Sequence, residues 1–265
     1  MIDKARRIIR KYIEYITTKV RLLWEQKVFI HDGVRLKYIL KKNADSNVLV
    51  VVFSACTRKG LKARYNYVKT LNGLKCNKLY ILDDFGADHR GSYYMGYHFD
   101  FKEESATKAL IQEIADELQL AKLIFCGSSK GGYAALNFGS MFQDSVMVVG
   151  APQYYLTSYL IDSGNLDSLN HIMGERTLEK EEKLQYYLRD KLSSNPYIAS
   201  QLIYMHFSDK EHTYEEHIRY LLEDLEQYGY RVEKDVADYQ NHSDISFYFP
   251  DFLRAHISRL IEEVV

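Results

Sequence analysis

The sequence has no apolar run approaching the roughly 20 residues that span a bilayer, no excess of charge of either sign, and only three cysteines. The first absence excludes a transmembrane helix. The second is a formal net charge of −1; it removes the electrostatic case for nucleic acid, because neutralising several phosphates takes a concentrated Lys/Arg face. The cysteines, Cys56, Cys76 and Cys126, are odd in number and lack zinc-ligand spacing, so they read as reduced cytosolic thiols and not as a metal centre. Pro/Gly-rich linkers, low-complexity tracts and internal repeats are absent as well. With 46% hydrophobic residues among 265, the chain can bury one large core, and a single domain over residues 1–265 is the expectation. Charges at Lys4, Arg6, Arg7, Arg10 and Lys11 interrupt any secretory h-region. A cytoplasmic location follows, peripheral to a membrane at most.

What is present begins with periodicity. Ile2, Ala5, Ile9, Ile13, Ile16, Val20 and Leu23 recur three or four apart, which predicts a basic amphipathic helix over residues 1–24. Such a helix can lie on an anionic membrane surface, although a solvated polar face over a stripe packed on a core or an oligomer partner is the commoner outcome. Val28 to Leu40 alternates around Asp32-Gly33 and predicts an antiparallel hairpin. Then come short continuous apolar runs: Val48–Phe53, Leu79–Leu82, Lys122–Cys126 and Val146–Val149. Runs of this kind mark strands covered on both faces, and the helical patterns between them, Leu61–Leu71 and Glu103–Leu120, complete the alternation of a parallel sheet. The fold class predicted is α/β, a three-layer sandwich around a mostly parallel sheet. A polar, tyrosine-rich helical stretch at 152–196 has the place of a small lid insertion. The sheet resumes at Leu202–Phe207, followed by a helix over Tyr214–Tyr228, a strand at Tyr230–Val236 and a last helix opening near Pro250.

One segment carries chemistry in its spacing. Gly127-Ser128-Ser129-Lys130-Gly131 fits the G-x-S-x-G nucleophile elbow and sits where that motif must, between a buried strand and the helical run Gly132–Phe138. A sharp strand-to-helix turn needs nearly side-chain-free neighbours, and it lifts the Ser129 hydroxyl out of the sheet. The N–H of Lys130 then becomes one oxyanion donor, with a second expected from the loop after the first central strand, at Ser54 or Ala55. Neither a Walker loop nor a G-x-G-x-x-G fingerprint occurs. A serine needs a base with an acid behind it, in the chain order Ser, Asp/Glu, His. His242, in the loop before the last helix, and Asp209, just past the strand ending at Phe207-Ser208, are the assignments. His206, His212 and His217 compete for the base, and Asp235 and Asp238 for the acid. Cys56 is a weaker nucleophile candidate because it lacks the elbow context.

With these residues in view, the chain resembles a branch of the α/β-hydrolase superfamily found among bacterial capsular-polysaccharide biosynthesis and accessory-secretion glycan O-acetyltransferase-like proteins. The resemblance rests on Phe53-Ser54, Arg64-Tyr65-Asn66-Tyr67, Asp83-Asp84-Phe85-Gly86, Tyr93-Tyr94-Met95-Gly96 and the run Gly127–Leu136, and covers roughly 48–152. It implies a serine esterase or O-acyltransferase acting on sugar hydroxyls, with Ser129, Asp209 and His242 as triad and no cofactor. It also implies a small-molecule or glycan ester as substrate and association with polysaccharide assembly. The 23 tyrosines fit a sugar-stacking pocket, particularly Tyr93, Tyr94, Tyr154 and Tyr155 around its mouth, although burial in the core is the commoner account for most of them. The alternative is a non-catalytic accessory module on the same scaffold.

Overall fold

A computed structural model of the protein describes residues 24–264. The helix expected over residues 1–24 therefore lies, but for Trp24, outside the described residues. The sheet starts with the hairpin. Strands β1 (Lys27–His31) and β2 (Val34–Lys41) pair antiparallel with His31 opposite Val34. Between them Asp32 and Gly33 take φ of 47° and 81°. Positive φ at both central residues is the turn whose twist matches the flanking strands, and an Asp-Gly pair reaches it at little cost.

The remaining strands are β3 (Val48–Phe53), β4 (Asn77–Leu82), β5 (Lys122–Ser128), β6 (Val146–Gly150), β7 (Leu202–Ser208) and β8 (Arg231–Ala237). All eight form one sheet in the order β1-β2-β4-β3-β5-β6-β7-β8. β2 meets β4 antiparallel, and every pairing from β4 to β8 is parallel. Every residue of β3, β4 and β6 is buried, the burial that the continuous apolar runs anticipate.

Among the described residues these α-helices accompany the sheet: α1 (Lys102–Leu118), α2 (Lys130–Gly139), α3 (Leu156–Asp162), α4 (Leu166–Met173), α5 (Leu178–Gln185), α6 (Tyr187–Ser193), α7 (Arg219–Tyr228) and α8 (Ile245–Glu262). Side chains alternate along a strand, so β6 shows why the arrangement has three layers. Met147 lies against Gly139 of α2, while Gly150, three residues on and facing the other way, lies against Phe249 of α8. The four short helices α3 to α6 occupy the chain between β6 and β7, where an insertion at 152–196 was expected. Among the described residues no helix is long and apolar enough to cross a membrane.

Two expectations are corrected. No helix forms over residues 61–71. Tyr67 takes φ 58°, a left-handed value that ends a right-handed helix, and this loop spends its polar groups on the sheet edge instead: the N–H of Ala55 donates to Asn66 Oδ1 at 3.0 Å. The last helix opens at Ile245, not at Pro250, which falls inside it. A short 3₁₀ turn, His242–Asp244, leads into that helix.

Candidate active site

Ser129 stands between the end of β5 and the start of α2 with φ 53° and ψ −122°. For a residue with a Cβ this backbone is strained by about 1–3 kcal/mol, and it persists because both flanks are fixed: Ser129 N–H donates to Gly150 O at 2.8 Å and Ser129 O accepts from Tyr133 N–H at 3.0 Å. The flanking glycines have a steric basis. A Cβ on Gly127 would fall 2.4 Å from the carbonyl oxygen of Gly131, so strand and helix pass closer than any side chain allows.

The hydroxyl of Ser129 lies 2.9 Å from His242 Nε2. Behind it, His242 Nδ1 lies 3.0 and 3.2 Å from the two carboxylate oxygens of Glu211, whose side chain is wholly buried. Thr213 Oγ1 donates to the same carboxylate at 2.6 Å. Burial pushes the Glu211 carboxyl upward, but the hydrogen bond and charge of His242, aided by Thr213, outweigh it and hold the group below its ordinary range. An ionised acceptor at Nδ1 keeps the proton on that nitrogen and leaves Nε2 free to take one from Ser129.

Of the expected triad, then, Ser129 and His242 are brought together and Asp209 is not. Asp209 is exposed on the turn after β7, while Glu211 is turned inward. The turn decides this: Lys210 N–H donates to Ser208 Oγ, which itself donates to Tyr239 O, so the chain folds back and its second acid enters the site. The signal in the sequence is the pair of acids two residues apart, Asp209 and Glu211, with Thr213 two further on; nearness to the strand end favours the aspartate, and the turn reverses that preference. The competitors are placed elsewhere. His206 pairs across strands with Asp235 at 2.6 Å, Asp238 pairs with Lys210, and the His212 ring lies 6.1 Å from that of His242.

The expected second oxyanion donors are corrected too. Ser54 N–H donates to the Tyr94 hydroxyl at 2.7 Å and Ala55 N–H to Asn66, so both are spent. Lys130 N–H, at the first position of α2, has no carbonyl within its own helix to meet. Tyr93, Tyr94 and Tyr154 are core residues, not a surface mouth: Tyr94 binds Ser54 and Tyr154 donates to Asp224 at 2.6 Å. Only Tyr155 of the four is half-exposed; it borders a surface cleft with Tyr220 and His217. Cys56 Sγ accepts from Arg90 Nη2 at 3.1 Å. Two neighbours of Ser129 escaped the sequence reading: Gln153, whose Nε2 donates to Oγ at 2.8 Å, and Tyr159, whose hydroxyl reaches Ser129.

The motif segments meet beneath this site. Lys130, buried beside the serine, places Nζ 2.8 Å from Asp83 Oδ2 and 2.9 Å from Arg90 O. The same carboxylate accepts the N–H groups of Ser92 and Tyr94. A Cβ on Gly91 would lie 2.1 Å from the ammonium nitrogen, so the loop closes over Lys130 only with glycine there.

A strained serine at a strand-to-helix turn, a histidine after the last strand and one mostly parallel sheet define the α/β-hydrolase fold. No protein-family model matches the chain, and no curated protein does. Solved structures do match. The capsule O-acetyltransferase of Neisseria meningitidis serogroup A superposes with a TM-score of 0.72 at 19% identity, over 89% of this chain and 98% of that one. A glycosylation-associated protein complex (Gap123) from Streptococcus agalactiae gives 0.71 at 18%, over 89% and 46%. A fluorophosphonate-binding serine hydrolase of Staphylococcus aureus gives 0.63 at 13%, over 89% and 97%.

Proposed function

We propose that the protein is a serine-dependent acyl-ester hydrolase or O-acyltransferase, acting on a glycan or cell-surface polysaccharide intermediate, with Ser129, His242 and Glu211 as its triad. The observation that carries this is the unbroken relay from Ser129 Oγ through His242 to the buried Glu211, in the chain order Ser, Glu, His that the fold uses. The substrate side of the reading is supported by the likeness to a capsule O-acetyltransferase.

Ser129 Oγ attacks the acyl carbonyl while its proton passes to His242 Nε2, and the carbonyl π pair moves onto oxygen, facing Lys130 N–H. Collapse expels the first leaving group, which takes the proton from His242. The acyl-enzyme is then resolved by water or by a sugar hydroxyl, whose proton returns through His242 to Ser129. Glu211 holds the imidazole tautomer throughout and stabilises the imidazolium.

A fluorophosphonate probe tests the reading directly: it is expected to label Ser129, located by mass spectrometry, and to leave Ser129→Ala unlabelled. Protein that resists the probe and leaves p-nitrophenyl acetate intact refutes the reading and favours the alternative, a non-catalytic accessory module on the same scaffold.

A further inference from the structure

We propose that the Gln153 carboxamide is a catalytic group of this site, donating to Ser129 Oγ whenever that oxygen carries negative charge. The inference rests on the serine chemistry proposed above. Gln153 lies just past β6, has no exposed surface, and places Nε2 2.8 Å from Oγ. Besides the Tyr159 hydroxyl, Oγ therefore has two nitrogen partners of opposite sense. It donates its proton toward His242 Nε2 and accepts one from Gln153. The opposite orientation of the amide would set a carbonyl oxygen against Oγ and compete with His242 for the single hydroxyl proton.

The rest of the side chain argues that it is not there for stability. Gln153 Oε1 is buried and has no hydrogen-bond partner among the described residues. An orphaned buried carbonyl costs about 1–3 kcal/mol, which an apolar side chain of similar length would avoid. The position is also held rigidly. Ala151 N–H donates to His206 O at 2.8 Å, and Pro152 lies against the start of α2 at Gly132. A fixed donor aimed at a fixed oxygen, away from water, is the arrangement in which a hydrogen bond to developing charge is most effective.

The chemistry gives that donor two uses. As Oγ bonds to the acyl carbon and passes its proton to His242, the N–H of Gln153 stabilises charge still on Oγ. When the acyl-enzyme breaks, the Oγ–carbon pair returns to Oγ before the proton comes back from His242, and the same N–H stabilises the departing alkoxide. Lys130 N–H serves the carbonyl oxygen in both steps. With the Ser54 and Ala55 N–H groups already spent, Gln153 is the side-chain amide donor standing at the nucleophile.

The test uses Gln153→Met, which keeps the length and removes the donor, and Gln153→Glu, which keeps the shape and replaces N–H by an acceptor. Each is expected to slow fluorophosphonate labelling of Ser129 and turnover of p-nitrophenyl acetate by about 10²-fold, with KM little changed. The Met variant should melt no lower than the parent. Either folded variant reacting within about threefold of the parent overturns the role of Gln153. If the Met variant does not fold, the Glu variant alone decides by the same criterion. A parent protein that the probe does not label overturns instead the function on which this rests, so the two failures are distinct.

Discussion

Replacing Lys130 by methionine should cost far more than a surface lysine would, and the structure supplies the magnitude. The side chains of Lys130 and Asp83 are 1% and 0% exposed and 2.8 Å apart. A buried pair contributes little beyond a well-packed apolar alternative, because both ions were desolvated to make it, but removing one partner strands the other charge at about 3–5 kcal/mol. Lys130→Met leaves Asp83 with the N–H groups of Ser92 and Tyr94 and no cation, and deprives Arg90 O of a donor. For a domain of this size each kcal/mol lowers the melting temperature by roughly 2–4 °C, so a fall of about 10 °C is expected. Adding Asp83→Asn removes the stranded charge while keeping an acceptor for Ser92. The double variant should therefore recover about 2 kcal/mol or more relative to the sum of the single changes. Urea unfolding with unchanged m-values measures all three. Additive single effects, or a Lys130→Met protein within about 1 kcal/mol of the parent, would refute the argument. The oxyanion donor assigned to this residue is its backbone N–H, which methionine also has; activity per folded molecule should suffer less than stability.

Glu211→Gln should reduce turnover on the order of 10²–10⁴-fold, because a neutral amide no longer fixes the imidazole tautomer, whereas Asp209→Asn should stay within about twofold; steady-state kinetics on p-nitrophenyl acetate decides, and the opposite pattern returns the acid role to Asp209. Burial, reinforced by the neighbouring His212 and His242, drops the His217 pKa to about 4 from 6.5. As pH falls below 6.5 the unfolded chain binds a proton that the folded protein refuses. The protein should thus lose roughly 2–3 kcal/mol between about pH 7 and pH 4.5 through this one group. Urea titrations at the two pH values should show that portion of the loss missing from His217→Leu; equal losses in both proteins would sink the prediction.

Much of the scaffold was legible because its signals are local. Asp32-Gly33 names its own turn, and strands such as Val48–Phe53, apolar at every position, have no other comfortable place than a sheet covered on both faces. The elbow was readable for the same reason: the glycines around Ser129 answer a steric demand within five residues. What could not be read depends on partners distant in sequence. The spacing at 61–71 suits a helix, yet Asn66 and Tyr67 are worth more as partners for Ala55 and Ser128. Tyr93, Tyr94 and Tyr154 resemble stacking residues until their hydroxyls find Ser54 and Asp224 or are simply enclosed. Asp209 and Glu211 offer the same carboxylate, and only the turn at Ser208 chooses between them.

That choice follows from how the sheet delivers its residues. β5, β6, β7 and β8 are consecutive neighbours and all parallel, so their carboxyl ends lie along one edge, with strands about 4.8 Å apart. Ser129 follows β5, Gln153 follows β6, Glu211 follows β7 and His242 follows β8. Each strand contributes one group to the site, and each group touches a neighbour: Gln153 and His242 meet at Ser129 Oγ, and Glu211 backs His242. Histidine comes from the most distant strand and must cross the ends of β6 and β7 to reach Ser129, which explains why it needs a loop before its 3₁₀ turn while Ser129 needs none. The carboxylate from β7 lies along that crossing. An acid too close to its strand end stays at the rim with Asp209; two residues further on, the chain has turned back and Glu211 lies under the imidazole.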